Sequence, residues 1–251
     1  MMRYSLHGGH NSIVQGANYG GRKEHVMARQ IKDAVAAKLR ALGYTVYDDT
    51  DEVGSTQAQN LSNIVRNCNS HDVDLVVAFH LNAYDGKADG VEVCYYDQQS
   101  LAAKVAAQLS KDTGWKNRGA KQRTDLYVLH STKAPAILLE LGFIDNDADM
   151  AKWHVDKIAN SIVYALTGQT VNGGGSQTIT PPSSHSDIGK LVVVETPELW
   201  VYGSANWNDK VKVVKKGDAF TILDVLHVNG FKMYKCKYFY ITASPAYVRV
   251  K

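Results

Sequence analysis

The sequence predicts an α/β protein in two parts, a three-layer α/β sheet domain followed by a small all-β barrel. Three observations predict this arrangement. Short apolar runs alternate with amphipathic helical patterns before residue 168, which is typical of buried strands with helices on both faces of a sheet. A stretch rich in Gly, Ser and Pro covers residues 168–187. Short β-type runs with intervening turn residues fill the remainder of the chain.

The first part contains four segments in which apolar residues recur at helical spacing. In chain order these predicted helices are Val26–Leu42, Leu61–Cys68, Leu101–Leu109 and Val155–Leu166. Short apolar runs predict buried strands, which are Tyr4–Leu6, Tyr44–Tyr47, Leu75–Phe79, Val91–Tyr96 and Ala136–Leu139. Because helices and buried strands alternate, we expect a sheet domain over residues 1–167.

The second part begins after a segment that has little to bury. The composition of residues 168–187 predicts a flexible linker. Six β-type runs follow it, and they are Leu191–Val194, Leu199–Val201, Val211–Val214, Ala219–Val225, Phe231–Tyr234 and Tyr247–Val250. Turn residues separate these runs, and Asn229-Gly230 is a strong hairpin signal. Six short strands predict a small antiparallel barrel over residues 188–251.

The basic residues are concentrated in this second part. Residues 188–251 hold 10 Lys and Arg against 5 Asp and Glu, whereas residues 1–187 hold 18 against 20. The resulting net +5 favours an anionic partner. The Lys residues are spread over the strands without a nucleic-acid-binding motif, so we expect no nucleic-acid partner. No apolar run reaches the roughly 18 residues that span a bilayer, so we expect no membrane insertion.

Polar side chains follow three of the predicted strands where each strand ends. His7–His10 (HGGH) follows the first strand, His80 follows Leu75–Phe79, and Glu140 follows the run that ends at Leu139. Active sites of open α/β sheets gather at the carboxyl ends of the strands. Glu24 opens the first helix.

Two His and one carboxylate form the ligand set of a catalytic zinc site, and a second carboxylate is then available as a general base. Each residue also has an ordinary structural explanation. Glu24 is a helix-start acid that the helix dipole favours, and His80 could be a buried, hydrogen-bonded histidine. Glu140 is the hardest to explain in this way, because an acid at the end of a buried run has to be paired, metal-bound or catalytic.

Taken together, these residues resemble the zinc-dependent N-acetylmuramoyl-L-alanine amidases of bacterial autolysins and phage endolysins. Pro135–Asn146 (PAILLELGFIDN) matches that family's catalytic motif, Pro-Ala-x-Leu-x-Glu-x-Gly-Phe-x-x-Asn, nearly throughout. Phe79–Ala83 (FHLNA) matches the motif of the second metal His, and Leu6–His10 (LHGGH) that of the first. Glu24 fits the position of the metal Glu, and Asn117–Gly119 (NRG) also agrees. The resemblance covers roughly residues 3–167.

The resemblance implies that His10, Glu24 and His80 bind Zn²⁺ and that Glu140 is the catalytic residue. The first motif departs from the family pattern, since His7 and Gly8 replace Asp-Pro. His7 therefore remains a rival ligand to His10. Two further residues are open. His130 stands where many relatives carry Arg and either touches substrate or is a surface residue. Asn82, or backbone groups near His80, are expected to orient the ligands.

The implied reaction is hydrolysis of the amide between N-acetylmuramic acid and L-alanine in bacterial peptidoglycan. The second part more loosely resembles Src-homology-3-like cell-wall-binding modules, which implies peptidoglycan and anionic wall polymers as partners. The alternatives are a zinc carboxypeptidase or endopeptidase acting on wall peptides, and a non-catalytic wall-binding protein.

The first ten residues lack the apolar core of a secretory signal. We therefore expect a phage-type endolysin that is made in the host cytoplasm without a signal peptide and acts on the wall after release. Cys68, Cys94 and Cys236 are scattered and no CxxC pair exists, so we expect free buried thiols.

Overall fold

The computed structural model describes residues 2–170, 187–203, 205, 207, 209–228 and 231–251. The chain divides into two compact units, residues 1–172 and 173–251. Most of the predicted linker lies outside the described residues, as does the predicted Asn229-Gly230 turn. The exact linker boundaries therefore stay a prediction.

The first unit is an alternation of strands and helices, as predicted. In chain order its elements are β1 (Arg3–Gly8), β2 (Asn18–Tyr19), β3 (Arg22–Lys23), α1 (Glu24–Ala41), β4 (Thr45–Asp48), α2 (Gln57–Asn69), β5 (Leu75–Asn82), β6 (Val91–Tyr95), α3 (Gln99–Thr113), β7 (Asn117–Gln122), α4 (Tyr127–Ser131), β8 (Ala136–Phe143), α5 (Asp147–Met150) and α6 (Val155–Thr167). Each helix and strand predicted for this part corresponds to one of these elements.

The central sheet of the described residues has six strands in the order β4-β1-β5-β8-β6-β7. Strands β4, β1, β5 and β8 pair in parallel, whereas β6 runs antiparallel to β8. The edge strand β7 pairs in parallel with β6. The sequence did not predict β7, because its residues NRGAKQ carry no strong apolar pattern. Pairing with β6 therefore outweighs a weak local preference.

The sheet separates two hydrophobic cores, which makes the unit three-layered. Along β5, Leu75, Val77 and Phe79 face a core shared with α1, α3 and α6. The alternate residues Val76 and Ala78 face a second core that contains side chains of α2 and α4. This alternation follows from the two-residue period of a strand. Both faces of β5 are buried, which explains why its sequence is a continuous apolar run.

A buried acid fixes the end of β8 next to the start of β6. Asp149 on α5 accepts hydrogen bonds at Oδ2 from the backbone N–H groups of Gly90 (2.7 Å) and Phe143 (3.0 Å). The Asn146 side chain caps α5 by accepting from the N–H groups of its first turn. The Gly-Phe-x-x-Asn end of the sequence motif is thus a structural anchor for the strand that carries Glu140.

The second unit consists of short antiparallel strands. They are β9 (Leu191–Val194), β10 (Glu198–Tyr202), β11 (Lys210–Lys215), β12 (Ala219–Thr221), β13 (Asp224–Val228), β14 (Phe231–Lys235), β15 (Tyr240–Thr242) and β16 (Val248–Val250). Within the described residues they form two sheets, ordered β11-β10-β15-β14-β13 and β12-β9-β16. Both sheets contribute to one core that includes Val192, Val201 and Ile241. Closure into a barrel stays a prediction.

Two details of this unit differ from the prediction. The single run predicted at Ala219–Val225 is split between β12 and β13, which belong to different sheets. The chain passes from one sheet to the other at Ile222 and Leu223. Because both residues are apolar, the apolar pattern does not show where one strand ends and the next begins. The sequence also missed β15, which is only three residues long and pairs with β14.

All three cysteines are free and buried, as predicted. Among the described residues, no helix combines the length and the apolar character needed to cross a membrane.

We predict that Asp149→Ala lowers the free energy of unfolding by about 2–4 kcal/mol, because two buried N–H groups lose their acceptor. Trp115 donates its Nε1–H to the Asp149 carbonyl oxygen at 3.0 Å. Urea denaturation followed by tryptophan fluorescence therefore monitors this region.

The control is Asp147→Ala on the same short helix. Asp147 is exposed and pairs with Arg22, so its loss is expected to cost less than about 1 kcal/mol. Equal effects of the two substitutions would contradict the role assigned to Asp149.

Candidate metal and catalytic site

The structure brings His10, Glu24 and His80 together at the carboxyl edge of the sheet. One ligand atom of each lies within 4.8 Å of the others. His80 Nδ1 is 2.9 Å from Glu24 Oε1, and His10 Nε2 is 3.4 Å from Glu24 Oε2. Two imidazole nitrogens and a carboxylate oxygen are donors that suit a divalent transition metal, zinc in particular.

Glu24 is the buried centre of this cluster, with only 4% of its surface exposed. It is the first residue of α1, where the helix dipole favours a negative charge. Oε2 accepts from the N–H of Ala17 (2.8 Å), and Oε1 accepts from the N–H of Leu81 (3.2 Å). Burial by itself raises the pKa of Glu24, but hydrogen bonds from His10 and His80 outweigh it and hold the pKa below its usual range. The carboxylate is therefore ionised, as a metal ligand needs to be.

His10 has an unusual backbone conformation. Its φ is 60°, and it is the only non-glycine residue with positive φ among the described residues. A left-handed conformation is disfavoured for a residue with a Cβ. The N–H of the preceding residue, Gly9, donates to the carbonyl oxygen of Phe79 at 2.9 Å, which holds this loop against β5.

Two glycines leave room for the cluster. A Cβ on Gly9 would lie 1.9 Å from Cε1 of the His80 ring. A Cβ on Gly16, which has φ +71°, would lie 2.4 Å from Glu24 Oε2 and 2.5 Å from His10 Cδ2. The glycines of this loop are thus required by the close packing of backbone against the three side chains.

Glu140 lies next to this cluster on the neighbouring strand. Its register partners are His80 on β5 and Glu92 on β6. Its Oε2 is buried and has no hydrogen-bond partner. Burial, followed by the charges of Glu24 and Glu92, raises the pKa of Glu140 well above its usual range. An unpartnered carboxylate oxygen with a raised pKa is suited to accepting and returning a proton.

Comparison with known proteins assigns the family. A family model of N-acetylmuramoyl-L-alanine amidases matches residues 6–168. The endolysin of Bacillus phage SPP1 is 33% identical over 267 aligned residues, which cover 98% of this chain and 97% of the endolysin. The chain belongs to the N-acetylmuramoyl-L-alanine amidase family. It is accordingly a peptidoglycan amidase.

Solved structures agree with the assignment of this chain to the amidase family. The catalytic domain of the CD27L endolysin, which targets Clostridia difficile, superposes with a TM-score of 0.62 at 28% identity and covers 68% of this chain and 100% of that domain. AmiC2 of Nostoc punctiforme, an N-acetylmuramoyl-L-alanine amidase, gives a TM-score of 0.57 at 26% identity over 65% of this chain and 94% of AmiC2. These likenesses concern the first unit, which contains the cluster.

His7 is not part of the cluster in this amidase. Its side chain is fully buried, and its Nδ1 lies 3.8 Å from Cys68 Sγ. Burial is the main reason that the pKa of His7 falls to about 3, so the ring stays neutral. His7 is a residue of β1, and its side chain points into the core. His10 lies in the loop after β1, where its positive φ changes the direction of the chain.

The other two open residues of the amidase are also placed. Asn82 donates through Nδ2 to Glu92 (3.2 Å) and accepts through Oδ1 from the N–H of Ala83 (3.0 Å), so these hydrogen bonds do not reach the cluster. A backbone group next to His80, the N–H of Leu81, binds Glu24 instead. His130 is exposed and lies 3.0 Å from the Ser131 hydroxyl. Sequence reasoning missed Glu92, which pairs with Arg118 at 2.7 Å beside Glu140. The agreement of Asn117–Gly119 with the family pattern was the signal that could have found this pair, because it contains Arg118.

We predict that Gly16→Ala weakens divalent-cation binding by at least about tenfold, because its Cβ would collide with Glu24 and His10. Isothermal titration calorimetry of the full chain measures this affinity. Gly20→Ala is the matched control, since Gly20 also has positive φ but its Cβ would meet nothing within 4 Å. If both variants bind metal equally well, the collision does not control the site.

Proposed function

We propose that this peptidoglycan amidase is zinc-dependent, with His10, Glu24 and His80 as metal ligands and Glu140 as the catalytic base. The substrate bond is the amide between N-acetylmuramic acid and L-alanine. The observation that carries the proposal is the convergence of the three ligand side chains beside a buried, unpartnered Glu140 oxygen.

The three side chains fit zinc by their chemistry. Two imidazoles and one carboxylate are a ligand set typical of catalytic zinc sites, which keep a fourth position for water. When bound, zinc polarises the scissile carbonyl and lowers the pKa of a water molecule to about 7. The hydrogen bonds from Ala17 and Leu81 hold the Glu24 carboxylate in place, which supports a fixed ligand orientation.

Glu140 performs the proton transfers in this proposal. Amide hydrolysis requires that water lose a proton as it attacks the carbonyl carbon, and that the leaving nitrogen gain one as the C–N bond breaks. Glu140 takes the proton from water on Oε2 and returns it to the amine nitrogen. The pair of Glu92 with Arg118 screens one of the two carboxylates nearest to Glu140.

The alternatives are a carboxypeptidase or an endopeptidase on the same wall peptides. Family membership favours the amidase. Mass spectrometry of digested peptidoglycan separates them, because only the amidase releases peptides with a new L-alanine amino terminus. A non-catalytic wall-binding role is disfavoured by the presence of all four residues at one edge of the sheet.

We predict that Glu140→Gln keeps bound zinc but lowers kcat by about 10²–10⁴-fold, since an amide does not accept the proton of water. Glu24→Gln is the contrasting variant and is expected to lose zinc. Metal analysis and turnover of a soluble muropeptide are measured on both. Loss of zinc from Glu140→Gln would make Glu140 a ligand and overturn its assigned role.

We further propose that residues 188–251 form a Src-homology-3-like module that binds the bacterial wall, including its anionic polymers. The second unit has a groove of about 900 Å³. Its aromatic lining comprises Trp200, Tyr202, Trp207 and Tyr247. The Lys210 ammonium lies 5.7 Å from the centroid of the Trp200 ring. Flat aromatic faces next to a cation suit a glycopeptide with negative charges.

The similarity to a phage endolysin over nearly the whole of both chains supports a role in lysis. In this proposal the protein is made in the cytoplasm of the host and reaches the wall on release.

We predict that Trp200→Ala in the full chain weakens binding to isolated walls but leaves turnover of a small soluble muropeptide unchanged. Trp200 is 45% exposed in the groove. Tyr238→Ala is the control, because Tyr238 is 79% exposed and lies outside the groove lining. Wall sedimentation across a salt series measures binding, which salt should weaken if charges contribute. Equal binding by both variants would refute the role of the groove.

A further inference from the structure

Arg29 on α1 makes an unusually complete set of contacts beside the proposed zinc ligands. Its Nη1 donates to the carbonyl oxygens of Gly9 (3.1 Å) and His25 (2.7 Å). Its Nη2 donates to the carbonyl oxygen of His10 at 2.8 Å. Nε and Nη2 also bind the Glu52 carboxylate at 2.7 and 3.1 Å. The side chain is only 17% exposed, so these bonds are partly shielded from water.

These acceptors belong to three separate segments of the chain. Gly9 and His10 lie in the loop after β1, His25 lies in the first turn of α1, and Glu52 lies in the loop after β4. The loop after β1 carries one proposed ligand, and the first turn of α1 carries another. The Arg29 guanidinium is therefore a direct link between the backbones that hold two of the three ligands.

The carbonyl groups that Arg29 binds flank the strained residue. The φ and ψ angles of His10 set the relative orientation of the Gly9 and His10 carbonyl groups. Fixing both carbonyls on one planar guanidinium therefore restrains His10 near its φ of 60°. A left-handed conformation is energetically unfavourable for a residue with a Cβ. Such conformations persist only where the surroundings hold them.

We propose that Arg29 is a positioning residue of the metal site, which holds His10 in its left-handed conformation and thereby directs its ring toward Glu24 and His80. The inference rests on the proposed function, since it concerns zinc. Arg29 touches neither the metal nor the substrate in this proposal. It acts through the backbone of His10 and sets the affinity of the site.

The geometry requires arginine at this position. A lysine ammonium is a point charge on a flexible stem, whereas the planar fork of arginine donates in several fixed directions at once. Gly8 gives the side chain room, because a Cβ there would lie 3.2 Å from Arg29 Cγ. A lysine keeps the charge opposite Glu52 but does not bridge the Gly9 and His10 carbonyls.

The test measures zinc affinity of the full chain by competition with a chelator. Arg29→Met and Arg29→Lys are expected to raise the zinc dissociation constant by about 10–100-fold, as is typical when the partner of a ligand is lost. The absorption spectrum of the Co²⁺-loaded protein is a second readout, and it should shift toward that of His10→Ala. General destabilisation does not change the ligand field in this way.

Arg40→Met is the matched control. Arg40 lies on the same helix and also donates to a backbone carbonyl, that of Val46 at 2.8 Å, but it is remote from the cluster. It is expected to change thermal stability and to leave zinc affinity and the Co²⁺ spectrum unchanged. If Arg29→Met does not fold, by circular dichroism, Arg29→Lys decides the question.

The outcomes separate the two proposals. Wild-type affinity and spectrum in Arg29→Lys would overturn the role of Arg29 and leave the zinc site intact. Absence of zinc binding by the wild-type protein would refute the proposed zinc site itself, and the positioning role with it.

Discussion

Parallel pairing of β1, β5 and β8 sets the position of three of the four side chains at the site. The loop after β1 carries His10, β5 carries His80, and β8 carries Glu140 in register with His80. Parallel strands have their carboxyl ends at one edge of the sheet. The strand pairing therefore places these three groups close together, whatever side chains the positions carry. Only Glu24 arrives by a different route, at the start of α1.

The two carboxylates at this edge have opposite surroundings. Glu24 is held by backbone N–H groups and lies against two imidazoles, which lower its pKa. Glu140 has a buried oxygen without a partner, and burial raises its pKa. Carboxylates whose environments separate their pKa values are suited to different tasks. The proposed division into a ligand and a base therefore has a physical basis in the fold, independent of the sequence motifs.

Close packing of backbone around the cluster restricts the residues and backbone angles that the loop after β1 can have. Gly9 and Gly16 approach the rings and the carboxylate so closely that any side chain would collide with them. His10 adopts a left-handed conformation in the same loop. Strain of this kind is concentrated at functional sites and is compensated by surrounding contacts. Here the compensating contacts come from α1 and from β5.

The sequence alone determined the helices and buried strands of the first unit, because apolar periodicity reflects burial directly. It also determined the β character of the second unit and the candidates for the sheet edge, whose motifs are local in the chain, with His7 still a rival to His10. Strand β7, strand β15 and the division of Ala219–Val225 were decided by pairing with distant strands. The placement of His10 rather than His7 in the cluster was also decided by the tertiary structure. His10 has a positive φ that contacts from other segments restrain. This conformation places the imidazole of His10 in the cluster, whereas that of His7 stays in the core. The groups that restrain His10 are 19 or more residues away in the chain, so the loop sequence by itself does not fix this conformation.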